Sequence, residues 1–120
     1  MLNLDTHILI NTVLGKLTAK EEAILRKTPV WAMLAIVLWE ITKLSQLRRI
    51  SFDLQSPVIK DFLSQLNILP IDASVCLALK KLDFNSDPAD EIIAATSLAH
   101  NIPLLTRDKI IKKSKLVPLA

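Results

Sequence analysis

Five short apolar stretches, separated by segments with helical spacing, constrain this chain more than any other feature. They are Leu2 to Leu4, Val30 to Met33, Ile68 to Ile71, Pro103 to Leu105 and Val117 to Leu119. Strands that alternate with helices belong to a parallel sheet, because each parallel pair needs a crossover and the crossover is usually a helix. The expected fold class is therefore α/β, with helices covering both faces of the sheet.

The intervening segments carry helix signals. Thr6 to Leu14 ends at Gly15, the only glycine in the chain, in the C-cap role. Thr18 to Lys27 begins with Thr18 and has Glu21 three residues on, a capping box, and Pro29 breaks it. Leu34, Val37, Leu38, Ile41, Leu44 and Leu47 recur at helical spacing. Ser56 and Pro57 start a helix that runs to about residue 66. Asp72 caps a helix through Lys81, Asp87 and Pro88 open one that reaches His100, and a basic turn spans Lys109 to Lys115.

With 120 residues, 51% of them hydrophobic, the chain suits one domain, residues 1–120, with a real core. The longest apolar run, Val30 to Trp39, is too short to span a bilayer. The N-terminus lacks the pattern of a signal peptide, so a cytoplasmic location is expected. The single cysteine, Cys76, excludes an internal disulfide and a cysteine-based zinc site. Its neighbours Val75 and Leu77 suggest a buried thiol. A net charge of +3 fits a polyanionic partner without demanding one.

Most of the twelve acids have bland contexts. Glu21, Glu22, Asp53, Asp61 and Asp83 read as solvated or capping residues. Asp5 ends the first strand and Asp108 follows the late strand, so both face the edge where open parallel sheets bind ligands. Glu40 lies in the helix after the second strand, and Asp87 and Asp90 lie at the start of another helix. Helix capping accounts for Asp5, Asp87, Asp90 and Asp108 equally well. It does not account for Glu40, flanked by Trp39 and Ile41 in the most apolar stretch. An unpaired carboxylate there is costly, so Glu40 either shares a cation with the other acids or pairs with Lys43. All-oxygen ligands favour Mg²⁺ or Mn²⁺. An ion held this way activates water and offsets the charge of a phosphodiester.

The segments Leu4-Asp5-Thr6-His7, Leu38-Trp39-Glu40-Ile41, Asp87-Pro88-Ala89-Asp90 and Leu105-Thr106-Arg107-Asp108 resemble the PIN domain family, and more narrowly the VapC-type toxins of bacterial toxin–antitoxin pairs. The resemblance spans the chain, with the four motifs in family order. It implies a three-layer α/β/α fold with a short, mainly parallel sheet of four to five strands. It also implies a Mg²⁺-dependent (or Mn²⁺-dependent) endoribonuclease that hydrolyses RNA with a metal-activated water. Asp5, Glu40, Asp90 and Asp108 would be the catalytic, metal-binding quartet. Asp87 would be an accessory acid or a helix cap, and Thr106 would orient a carboxylate or water. A homodimer and an antitoxin that blocks the site would be the partners. Val37 stands where a serine or threonine is common, Ala89 and Glu91 replace a bulky residue and an arginine, and Asn3 interrupts the first strand.

Arg107, Lys109, Lys112 and Lys113, with Lys115, crowd the region of Asp108. They read either as a solvated face or as phosphate contacts. Lys43, Arg48 and Arg49 form a second cluster. Few aromatics and no tyrosine point to backbone contacts more than base stacking. His7 and His100 are poor candidates for direct chemistry, His100 suiting a helix C-terminus. Trp39 falls off the main apolar stripe and is either packed under neighbouring helices or part of a partner surface. Other functions remain in play: a phospho-aspartate receiver-like signalling domain, which wants adjacent acids and a late lysine, or a silent PIN fold that only binds a partner.

Overall fold

The computed structural model describes residues 1–120. Its elements run β1 (Leu2–Leu4), α1 (Thr6–Leu14), α2 (Ala19–Lys27), β2 (Trp31–Leu34), α3 (Ala35–Gln46), α4 (Pro57–Ser64), β3 (Asn67–Leu69), α5 (Ala73–Leu79), α6 (Pro88–His100), β4 (Leu104–Leu105) and α7 (Lys109–Lys112). The four strands form one sheet in the order β3-β2-β1-β4, and every neighbouring pair is parallel. The fold class is α/β, as the alternation of strands and helices requires. The expected fifth strand contributes a single bridge, Leu119 beside Leu104. Pro118 accepts from the Leu104 N–H but has no N–H to donate back, so the ladder stops there.

All of β1 is buried, on both faces of the sheet. That burial is the mark of a central parallel strand covered by helices on each side. Leu2, Leu4, Met33, Leu34 and Leu104 of the sheet meet Ile8, Leu9, Ile41 and Ile93 of the helices in one core. Asn3 is the polar exception within β1. Its amide donates to Ser97 Oγ at 3.0 Å and to the Ile93 carbonyl at 3.3 Å, so it ties the strand to α6.

Local chemistry sets the helix ends. Gly15 adopts φ 69°, the left-handed conformation, and its N–H closes α1. Both arms of the Thr18–Glu21 capping box form at α2. Asp72 accepts from the Val75 N–H to start α5.

Two sequence readings need correction. Cys76 is exposed. On α5 the face turned inward carries Val75 and Ala78, and Cys76 lies one residue off that stripe. Glu21 is not a solvated acid but is 8% exposed. Both its oxygens accept from the Arg107 guanidinium at 2.7 Å, and Arg107 also donates to the Lys16 carbonyl. This fork clamps α2 to the segment after β4. Arg107 is thereby paired with Glu21, while part of its side chain stays exposed.

The Arg107 hydrogen bonds hold the Glu21 carboxyl down at about 2, against an ordinary 4.5. A depressed carboxylate stabilises the fold fully above its unfolded value and loses that contribution as the pH falls. Arg107→Gln is therefore expected to destabilise the fold at pH 7. The gap to wild type should close between pH 4.5 and pH 2, as followed by urea unfolding. A gap that stays constant across that range would rule out the ion pair as its source.

Candidate acidic site at the strand ends

The register of β1 against β4 assembles the site. Leu4 stands beside Leu105, so the next residues, Asp5 and Thr106, emerge side by side at the carboxyl edge of the sheet. Both are buried. Thr106 Oγ1 donates to Asp5 Oδ2 at 2.5 Å, and the Thr6 N–H donates to Asp5 Oδ1 at 2.7 Å. Each oxygen of Asp5 is thus fixed. Thr106 Oγ1 also accepts from the Asp108 N–H at 3.0 Å, so one hydroxyl holds the Asp5 carboxylate and the Asp108 backbone.

Glu40 arrives from a third strand by a short route, since α3 follows β2 without a loop. Its side chain is half-buried and accepts from Thr6 Oγ1 at 2.6 Å. Thr6 therefore joins Glu40 to Asp5: its N–H serves one acid and its hydroxyl the other. Thr6 was not singled out in the sequence. The only signal for it was its position beside Asp5, because its partner Glu40 lies 34 residues away. Lys43 makes no ion pair with Glu40, which removes the local alternative for that acid.

The capping account divides the remaining acids. Asp108 caps α7, accepting from the N–H groups of Ile110 and Ile111. Asp87 occupies the N-cap position of α6, yet its side chain makes no capping bond. Asp90 accepts no hydrogen bond from the backbone or from a side chain, so the capping-box reading of it fails too. Burial pushes the Asp90 carboxyl up to about 6, and the charges of Asp5, Asp108, Glu40 and Asp87 push in the same direction. Asp90 therefore feels the other four acids at one end of the sheet.

No three of these carboxylates stand around a common point at metal-holding distance. Their hydrogen bonds explain the spacing. Like charges spread apart, and Asp5, Glu40 and Asp108 are each turned onto a hydroxyl or an N–H. The set still suits a hard divalent cation: every donor is oxygen, and Asp90 is partly buried without a partner. Of the basic residues expected nearby, Lys43, Lys109, Lys112 and Lys113 are exposed and form no ion pair. Trp39 is 58% exposed, which excludes its packing beneath neighbouring helices. Val37, by contrast, is fully buried in the core.

The sequence matches the PIN domain family over residues 3–115. The chain belongs to the PIN domain family. Solved structures share its fold. A chain of the VapBC2 complex from Rickettsia felis, bound to a promoter DNA fragment, is 22% identical with a TM-score of 0.74 and covers 100% of this chain and 98% of its own. A toxin–antitoxin complex from Klebsiella pneumoniae gives 24% identity and a TM-score of 0.69, covering 94% and 92%. DNA-bound VapBC from Salmonella typhimurium gives 18% and 0.73, covering 99% and 96%. No curated protein sequence matches the chain. The PIN domain expected from the four motifs is the family found, and its parallel sheet is the one described above.

Asp90 sets a stability test that needs no substrate. Its raised carboxyl binds a proton more tightly in the fold than in the unfolded chain, so stability falls as the pH rises from about 3.8 through 6. At pH 7 in chelator, Asp90→Asn is expected to be more stable than wild type by about 1 kcal/mol, after allowance for solvent screening. The advantage should vanish near pH 4. Equilibrium unfolding of both proteins at the two values checks this, and a destabilised Asp90→Asn would restore the helix-start role for that residue.

Proposed function

We propose that this PIN domain is a metal-dependent endoribonuclease and the toxin member of a toxin–antitoxin pair. The observation that carries the reading is Asp90, a partly buried carboxylate free of hydrogen bonds and pressed by four other acids at the ligand-binding edge of a parallel sheet. Capping does not require that arrangement, and repulsion makes it costly unless a cation is shared. Asp5, Glu40, Asp90 and Asp108 would hold Mg²⁺ or Mn²⁺, with Asp87 as an accessory acid. When bound, the ion supplies an acidified water and offsets the charge of the phosphodiester under attack.

The chain's own residues prepare the site. Thr106 fixes Asp5 and the Asp108 backbone through one hydroxyl. Thr6 fixes Asp5 and Glu40 in the same way. These bonds set the orientation of three acids before substrate arrives and leave Asp90 free. Exposed Lys109, Lys112 and Lys113 would meet phosphates of the RNA strand near Asp108, and Lys43 would do so near Glu40. The VapBC complexes that share the fold support a protein antitoxin as partner, and we extend the proposal to a homodimer. No helix of the chain is long and apolar enough to cross a membrane.

Asp5→Asn and Asp90→Asn are each expected to lower RNA cleavage at least a hundredfold, and chelation should abolish it until Mg²⁺ or Mn²⁺ is restored. Thr6→Val should cost about 10–100-fold, the usual range for a residue that orients a metal ligand. Cleavage of a labelled RNA by the folded variants measures all three. Undiminished cleavage by Asp90→Asn would refute the assigned site, whereas a wild-type protein that cuts no RNA but binds a partner would mark a silent PIN fold.

A further inference from the structure

The loop after α3 forms an open depression of about 560 Å³ whose lining includes Ser45, Arg48, Arg49, Ser51, Phe52 and Asp53. Phe52 is buried, and its carbonyl accepts from Ser45 Oγ, which anchors the loop to the end of α3. The chain has four arginines, and two of them have acidic partners: Arg26 with Glu22 and Arg107 with Glu21. Arg48 and Arg49 have none, and their guanidiniums make no side-chain hydrogen bond. Asp53 is the one acid lining the depression; one of its oxygens accepts from the Gln55 N–H, and it forms no ion pair with either arginine. Arg48 also sits at φ 57°, in the left-handed region that glycine accepts and arginine disfavours. Glycine would suit the turn better, so the arginine side chain is the feature that needs a reason.

We propose that Arg48 and Arg49 form a phosphate anchor that grips an RNA strand outside the acidic site. Two guanidiniums without acidic partners, on consecutive residues that line one depression with Ser51, offer planar forks of the kind that bind phosphate oxygens. Glu40 lies six residues, about 9 Å of helix, before the end of α3 at Gln46, Lys43 stands between, and Arg48 follows two residues beyond the helix. A strand lying along α3 would pass from the acids over Lys43 to the arginine pair. Such contacts fix the register of a backbone and carry no base preference. The inference rests on the nuclease reading for its choice of RNA as the ligand.

The test is binding of a fluorescently labelled single-stranded RNA in chelator, followed by anisotropy across a salt series. Arg48→Gly with Arg49→Ala is compared with wild type and with a charge-matched control, Arg26→Ala with Lys27→Ala on α2. Arg48→Gly alone should melt at or above the wild-type temperature, because glycine accepts the backbone conformation. The double variant should bind about tenfold more weakly at 0.1 M salt, and the slope of log affinity against log salt should flatten by about 1.4, two contacts on a single strand. The control should keep the wild-type affinity and slope. Wild-type binding by the arginine variant, an equal loss in the control, or no RNA binding by wild type would each overturn the anchor. RNA cleavage is scored separately. A protein that binds through the arginines but never cuts fails as a nuclease and keeps its anchor, and one that cuts while the arginine variant binds normally does the reverse.

Discussion

The parallel pairing of β1 with β4 decides what this molecule can do. The two strands are about a hundred residues apart in the chain, and β4 has only two residues. Their register nevertheless fixes Asp5 beside Thr106, and everything at the sheet edge follows from that juxtaposition. Asn3 reinforces it from within β1 by holding α6 through Ser97 and the Ile93 carbonyl. Asp90 lies one turn before Ile93, so the same strand that carries Asp5 also positions the helix that carries Asp90. The Arg107–Glu21 clamp fastens the segment between Thr106 and Asp108 against α2. A small sheet is thus braced on both sides of the point where its acids gather.

Those acids pose an electrostatic problem that the fold solves only in part. Two threonine hydroxyls and several backbone N–H groups take up the lone pairs of Asp5, Glu40 and Asp108. Nothing does the same for Asp90, and burial, with the charges of the neighbouring acids, raises its carboxyl to about 6. A region optimised for stability alone would place a lysine or an amide there. Retaining a cluster that opposes folding is the pattern expected where a ligand supplies the missing charge.

Much of the architecture was legible in the sequence because its signals are local. Gly15, the Thr18–Glu21 capping box, Pro57 and Pro88 mark helix ends through backbone chemistry that acts within a few residues. Asp5, Asp87, Asp90 and Asp108 were legible because each follows a strand or opens a helix, and Glu40 because it is a carboxylate in the most apolar stretch of the chain. What stayed hidden depends on which face of an element turns inward or on distant partners. Cys76 has apolar neighbours yet lies outside the buried stripe of α5. Glu21 showed its capping role but not its bond to Arg107, 86 residues away. Thr6 was hidden for the same reason, and Asp87 looked like a cap although its side chain leaves the helix end alone.

The central claim is that the convergent carboxylates hold a divalent cation, and it is tested most directly by Mn²⁺ titration at pH 7 with electron paramagnetic resonance detection of the free ion. Wild-type protein should deplete the free-ion signal in a saturable way, and Asp5→Asn and Asp90→Asn should each remove most of that depletion while remaining folded. No saturable binding by wild type, or binding that both variants retain in full, would contradict the account.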